Sequence, residues 1–237
     1  MHGILSSMPT RATVSLRYTV QTTPEAWVLP EGTVPEAPAH YDAAHRLTLL
    51  LEAWAKKQRE PVRVLRNLAI RWLEDFPQAG IDPDVCVLAP PPPDLNAVGS
   101  LCLWKPGHVP PPLCFEIVSA NHPYKDYSAV QDRYAALGTR ELCVFDPLLA
   151  GPPSLGGPVP LQFWRRDVSG TLERVHFGAE PFRSDVLDAW LFPEGRFLSI
   201  ADDRAGLRRW KTEAESERAQ REDIERRLRE LEAKLGR

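Results

Sequence analysis

The stretch that decides the fold is LCFEIVSANHPYKDY, Leu113 to Tyr127. An apolar, strand-like run carries a single acid, Glu116, and is followed by a turn segment that ends in Lys125 and Asp126. A carboxylate taken into a sheet loses its hydration, which is costly unless something compensates the charge. Glu116 therefore asks for a partner, and three kinds remain open: a cation such as Arg63 or Arg71, a metal ion, or hydrogen bonds supplied by packing.

On the carboxyl side, DYSAVQDRYAALG (residues 126–138) reads as a helix in which Val130, Tyr134 and Leu137 share a face and Gly138 takes the left-handed cap. ELCVFDP (141–147) is a buried strand stopped by proline. LQFWRRD and TLERVHF (161–167 and 171–177) form a hairpin that extends the sheet. On the amino side, IDPDVCVLAP (81–90) holds a strand that begins near Asp84, and VRVLRNLAIRW (62–72) is two strands or one strand bent near Asn67. HYDAAHRLTLLLEAWAKKQ (40–58) repeats Leu47, Leu50, Leu51 and Trp54 at helical spacing. The span from Ala89 to Pro112 reads as one long proline-rich loop. This order of helices and strands predicts an α/β (α+β) domain, a mixed central β-sheet flanked by helices.

From about Asp203 to Leu235 the composition turns to Glu, Arg, Ala and Leu, and one charged helix is expected. Ile224, Leu228, Leu231 and Leu235 make a narrow apolar seam, and Glu222/Arg226, Glu225/Arg229 and Glu230/Lys234 are favourable i,i+4 pairs. The chain thus divides into an amino-terminal extension (1–26), a main domain (27–200) and a carboxyl-terminal charged helix (201–237). That last part is expected to be dispensable for the core and to offer a short coiled coil to a homodimer.

The net charge of −3 gives no global attraction to nucleic acid, so any phosphate-binding surface must be local. Cys86, Cys102, Cys114 and Cys143 lack metal spacing and read as inert core thiols. The amino terminus is unlike a secretory signal and no run approaches the roughly 20 apolar residues of a membrane span, so a cytoplasmic protein with no membrane partner is expected. Arg208, Arg209 and Lys211 beside Trp210 read as part of a solvated helix rather than as a phosphate site, His40 and His45 near the start of the first helix as capping or surface residues, and His122 as a loop residue.

The chemistry lies in Asp84 at the start of one strand, Glu116 in the middle of the next, and Lys125 shortly after. Carboxylates on neighbouring strands can share one divalent ion, and hard oxygen ligands suit magnesium, with manganese as its substitute. An ion held there lowers the pKa of bound water and offsets charge developing on a phosphate. Lys125 can steer that water or steady the reacting phosphate.

VLPEGTVPEAPAH (28–40), GIDPDVCVLAP (80–90), PLCFEIVSANHPYKDY (112–127) and DRYAALGTRELCVFDPLLAGP (132–152) together resemble the Uma2-type endonucleases, a branch of the PD-(D/E)XK nuclease fold. The resemblance runs well from Trp27 to Phe145 and extends to LQFWRRD and SIADDRAGLRRW. It implies a magnesium-dependent hydrolase of DNA phosphodiester bonds, with Asp84 and Glu116 as its two acidic residues and the Ile117 carbonyl as a further metal ligand. By the same resemblance His40 and Asp126 would stand behind these ligands. In the motif's basic form a lysine stands two positions after the glutamate, where this chain has Val118, and the helical position often held by lysine is Val130. A nuclease-like fold without catalysis, binding nucleic acid or a protein partner, is the alternative function.

Overall fold

The computed structural model describes residues 37–94, 99–128 and 130–235; the amino-terminal extension (1–26) and most of VLPEGTVPEAPAH lie outside the described residues. In chain order the elements are α1 (Pro38–Ala55), β1 (Arg63–Arg66), β2 (Ala69–Arg71), β3 (Gly80–Ile81), β4 (Val85–Leu88), β5 (Ser100–Cys102), β6 (Leu113–Ile117), α2 (Pro123–Ser128) and α3 (Val130–Leu137). They continue with β7 (Glu141–Phe145), β8 (Leu161–Arg166), β9 (Leu172–Gly178), β10 (Phe182–Ser184), β11 (Ala189–Glu194), β12 (Phe197–Ala201) and α4 (Glu213–Leu235).

Six strands form the central sheet in the order β1-β4-β6-β7-β8-β9. The β6/β7 pair is parallel and the other pairs are antiparallel, so the sheet is mixed, as the order of elements predicts. β6 and β7 sit in its middle and are buried at every position, which is why both read as continuous apolar runs. Parallel neighbours need a crossover, and α2 with α3 supplies it.

Period-two alternation divides β6 between two cores. Leu113, Phe115 and Ile117 pack with Leu47 and Leu51 of α1 and with Leu191, Leu198 and Ile200 of a second sheet. Cys114 and Val118 belong to the other core, with Tyr127, Tyr134 and Leu137 from α2 and α3. Glu116 shares that second face by alternation. All four cysteines are buried and unpaired, and burial pushes the Cys86 thiol up to about 12, so they serve as small apolar residues.

Several expected boundaries move. The chain breaks at Asn67, whose φ is 50°, and so yields two strands in different sheets: β1 joins the central sheet, while β2 pairs with β3 and β5. The proline-rich span after Ala89 is not all loop, because β5 runs parallel to β2 and His108 ties the segment down. Its Nδ1 accepts from the Cys102 amide at 3.0 Å, and its Nε2 meets Asp94 at 2.8 Å. β10, β11 and β12 form a further antiparallel sheet that closes over α1.

The segment after β6 becomes helical at Pro123, earlier than expected, since proline suits a first helical turn. The described helical stretches are α2 and α3, and Gly138 closes the second with φ 91° and an amide bond to Tyr134 O, as predicted. Asp126 consequently lies inside α2 and does not cap it.

The tail also differs from expectation. Residues 202–212 are a folded loop instead of the first turns of the helix. Trp210 stacks on Trp54 of α1 at 6.0 Å, and Arg209 lies 4.0 Å over Phe192 and bonds Glu194 at 2.6 Å. Arg208 stands beside Asp202 and Asp203. Aromatic stacking and local ion pairs offer this segment more than a solvated helix would. The helix itself begins only at Glu213.

Candidate active site

The antiparallel register of β4 and β6 pairs Val85 with Phe115 and Cys86 with Cys114. Continued by one residue, it sets Asp84 opposite Glu116. Directly opposed residues of an antiparallel pair point to the same face, so both carboxylates leave the sheet on the side covered by α2 and α3. The spacing of Asp84 and Glu116 in the chain thus becomes a cross-strand pair at one end of the sheet.

Asp84 is held by two donors from different parts of the chain. The Ile117 amide donates to its Oδ2 at 2.6 Å, and Nε2 of His40, from the first turn of α1, lies 3.1 Å from the same oxygen. Ile117 thus meets Asp84 through its N–H. In an extended strand the N–H and C=O of one residue face the same neighbour, so the Ile117 carbonyl is directed to the Asp84 side as well.

Glu116 is fully buried. The Tyr134 hydroxyl, one helix away, donates to its Oε1 at 2.7 Å. Oε2 has no hydrogen-bond partner, and the Lys125 ammonium stands 3.7 Å from it. The same ammonium is 3.9 Å from Oδ1 of Asp126, a second buried oxygen without a hydrogen bond. The first turn of α2 therefore folds back on β6 and returns a lysine to the carboxylates. Neither arginine considered as a partner for Glu116 takes that place: Arg71 bonds Asp82 at 2.6 Å, and Arg63 is exposed on β1.

The electrostatics follow from burial. Desolvation, then the neighbouring Asp84, drive the Glu116 carboxyl well above its ordinary range, against the pull of Lys125. Desolvation likewise lifts Asp126 to about 6, opposed by Lys125. Lys125 in turn is raised, chiefly by Glu116. Burial with a single lysine nearby thus resists full ionisation of these acids, a resistance that a bound cation relieves.

The residues suit a hard divalent ion by their chemistry. The donors are carboxylate oxygens, Glu116 Oε2 and Asp126 Oδ1 lack hydrogen bonds, and magnesium is commonly held by one or two carboxylates with water completing its shell. Among the described residues no group of three or more His, Cys, Asp and Glu converges as a ready-made protein cage.

Tyr134 is the site residue that sequence reasoning missed as such, having been assigned to a core face. Its place four residues after Val130, on the side of α3 turned to the sheet, was the available signal. Val118 lies in the apolar core behind Glu116 and carries no charge to the site. His45 stacks on Tyr41 at 5.7 Å and makes no contact with Asp84.

The family model described as "Uma2: Putative restriction endonuclease" matches residues 16–150. No curated protein matches the chain. Among solved structures, one titled as a "putative nuclease belonging to DUF820 from Anabaena variabilis" is similar at 14% identity and a TM-score of 0.44, over 65% of this chain and 76% of that one. Among the described residues no helix is long and apolar enough to cross a membrane.

Proposed function

Starting from the fact that this chain belongs to the Uma2 family, we propose that it is a metal-dependent endonuclease that hydrolyses DNA phosphodiester bonds at Asp84, Glu116 and Lys125. The observation that carries the reading is the buried Glu116 Oε2, without a hydrogen bond, beside the Lys125 ammonium at 3.7 Å and across the strand pair from Asp84.

Asp84, Glu116 and the Ile117 carbonyl would hold magnesium, or manganese in its place. When bound, the ion would lower the pKa of a water and offset charge on the phosphate. The protein's own groups do the rest. His40 and the Ile117 amide fix the Asp84 carboxylate, and Tyr134 fixes Glu116 by one oxygen, leaving the other toward Lys125. Lys125 supplies the cation that the motif's usual lysine position, here Val118, lacks. Its ammonium can orient the attacking water or stabilise the phosphate oxygens as charge builds. Asp126 holds Lys125 from the other side.

The test is cleavage of single- and double-stranded DNA by the full chain with magnesium, manganese or chelator, beside Asp84→Ala. Metal-dependent cleavage that Asp84→Ala loses supports the reading. No metal-dependent cleavage, or equal cleavage by the variant, overturns it and leaves the non-catalytic alternative, a nuclease-like fold that binds nucleic acid or a protein partner.

A further inference from the structure

The helix α4 is anchored at one end. Thr212 and Glu215 form a reciprocal capping box, with the Thr212 amide donating to Glu215 Oε2 at 2.9 Å and the Glu215 amide donating to Thr212 Oγ1 at 3.2 Å. Arg46 of α1 reaches Glu215 at 2.7 Å, and Lys56 reaches Glu213 at 2.5 Å. Past this anchor no residue of α4 is buried. Ile224, Leu228, Leu231 and Leu235 are 65%, 54%, 56% and 87% exposed, a stripe of large apolar side chains open among the described residues.

Steps of four, three and four put these residues at the d, a, d and a positions of a heptad pattern. The charges beside the stripe then choose its partner's direction. Glu225 and Glu232 fall at e positions, Arg227 and Lys234 at g positions. In a parallel pair, g of one helix meets the following e of the other, so Arg227 faces Glu232 twice across the two-fold axis. In an antiparallel pair, g meets g and e meets e, which opposes Arg227 to Lys234 and Glu225 to Glu232. Arg227 also reaches Asp223 of its own helix at 2.9 Å, an exposed pair that water exchanges easily.

We propose that the exposed stripe of α4 is the docking surface for a second copy of this chain, joined as a parallel, in-register two-stranded coiled coil. The seam covers only two heptads, so the pair is concentration-dependent. Its two-fold axis runs along α4, and the anchor to α1 transmits that symmetry to the two domains.

Sedimentation of the full chain over a concentration series reads the association, and Leu231→Glu is expected to weaken it by about tenfold or more while leaving the circular dichroism and melting temperature of the monomer unchanged. Cysteine substitution reads the direction, because the native cysteines are all buried. In the parallel arrangement Leu228→Cys cross-links to itself on oxidation, and Arg227→Glu pairs with Glu232→Arg better than either pairs with itself. A monomer at every concentration overturns the proposal. So does a dimer that Leu231→Glu leaves intact, or a Leu228→Cys chain that cross-links only when mixed with Leu231→Cys, the antiparallel result.

Discussion

Tyr134 donates its hydroxyl to Oε1 of Glu116 at 2.7 Å, and both side chains are wholly buried. A helix on one face of the sheet thereby holds the orientation of an acid that the strand alone would leave free to rotate. Replacing Tyr134 by Phe keeps the ring and removes the bond. Unfolding by urea should show a loss of about 1–3 kcal/mol, the cost of leaving a buried oxygen unpaired. Binding of manganese, followed by calorimetry, should weaken as well, because the carboxylate loses its fixed direction.

Lys125→Ala and Glu116→Ala should separate chemistry from metal binding. The lysine contributes charge at 3.7 Å but no ligand atom, so its removal should abolish cleavage and leave manganese affinity nearly intact. Removing Glu116 should lose both. If Lys125→Ala cleaves like the wild type, the lysine is only a surface residue that leans on an acid.

Asp126 gives a pH signature in the metal-free protein. Its carboxyl is lifted to about 6 in the folded state, first by burial, so the folded chain binds a proton there that the unfolded chain has already lost. The stabilisation from this group is fully present below the unfolded value, near 4, and is lost as pH rises through about 6. At pH 7 Asp126→Asn should therefore be the more stable protein, by up to about 3 kcal/mol, and the advantage should vanish toward pH 4. Thermal unfolding of both proteins across that range, without metal, checks the sign.

The loop before α4 should matter more than the helix. A chain ending at Arg218 keeps Trp210 on Trp54, Arg209 on Phe192 and the capping box at Thr212. It should melt within a few degrees of the full protein. A chain ending at Ile200 loses those contacts and should be destabilised by about 2–4 kcal/mol, comparable to truncating a large packed side chain. Equal melting of the two would mean that the loop packs without consequence.

What the sequence determined by itself is local and periodic. Apolar runs placed β4, β6 and β7, and the left-handed turn at Gly138 needed a residue without a Cβ, whereas the common side of Asp84 and Glu116 comes from the β4/β6 register. The β8/β9 hairpin was readable because its two strands are close in the chain. The tertiary structure decided everything that depends on segments meeting from far apart. His40 reaches Asp84 from a helix 44 residues away, Tyr134 turns from core residue to partner of Glu116 only when α3 lies on β6, and Asn67 bends the chain into a second sheet. Trp210 stops an apparent helix because it finds Trp54 on α1. Spacing encodes which face a side chain takes within its own element. Which element covers that face is settled by burial of the whole core, where a gain from one long-range stack or hydrogen bond outweighs the small propensity differences that local reading relies on.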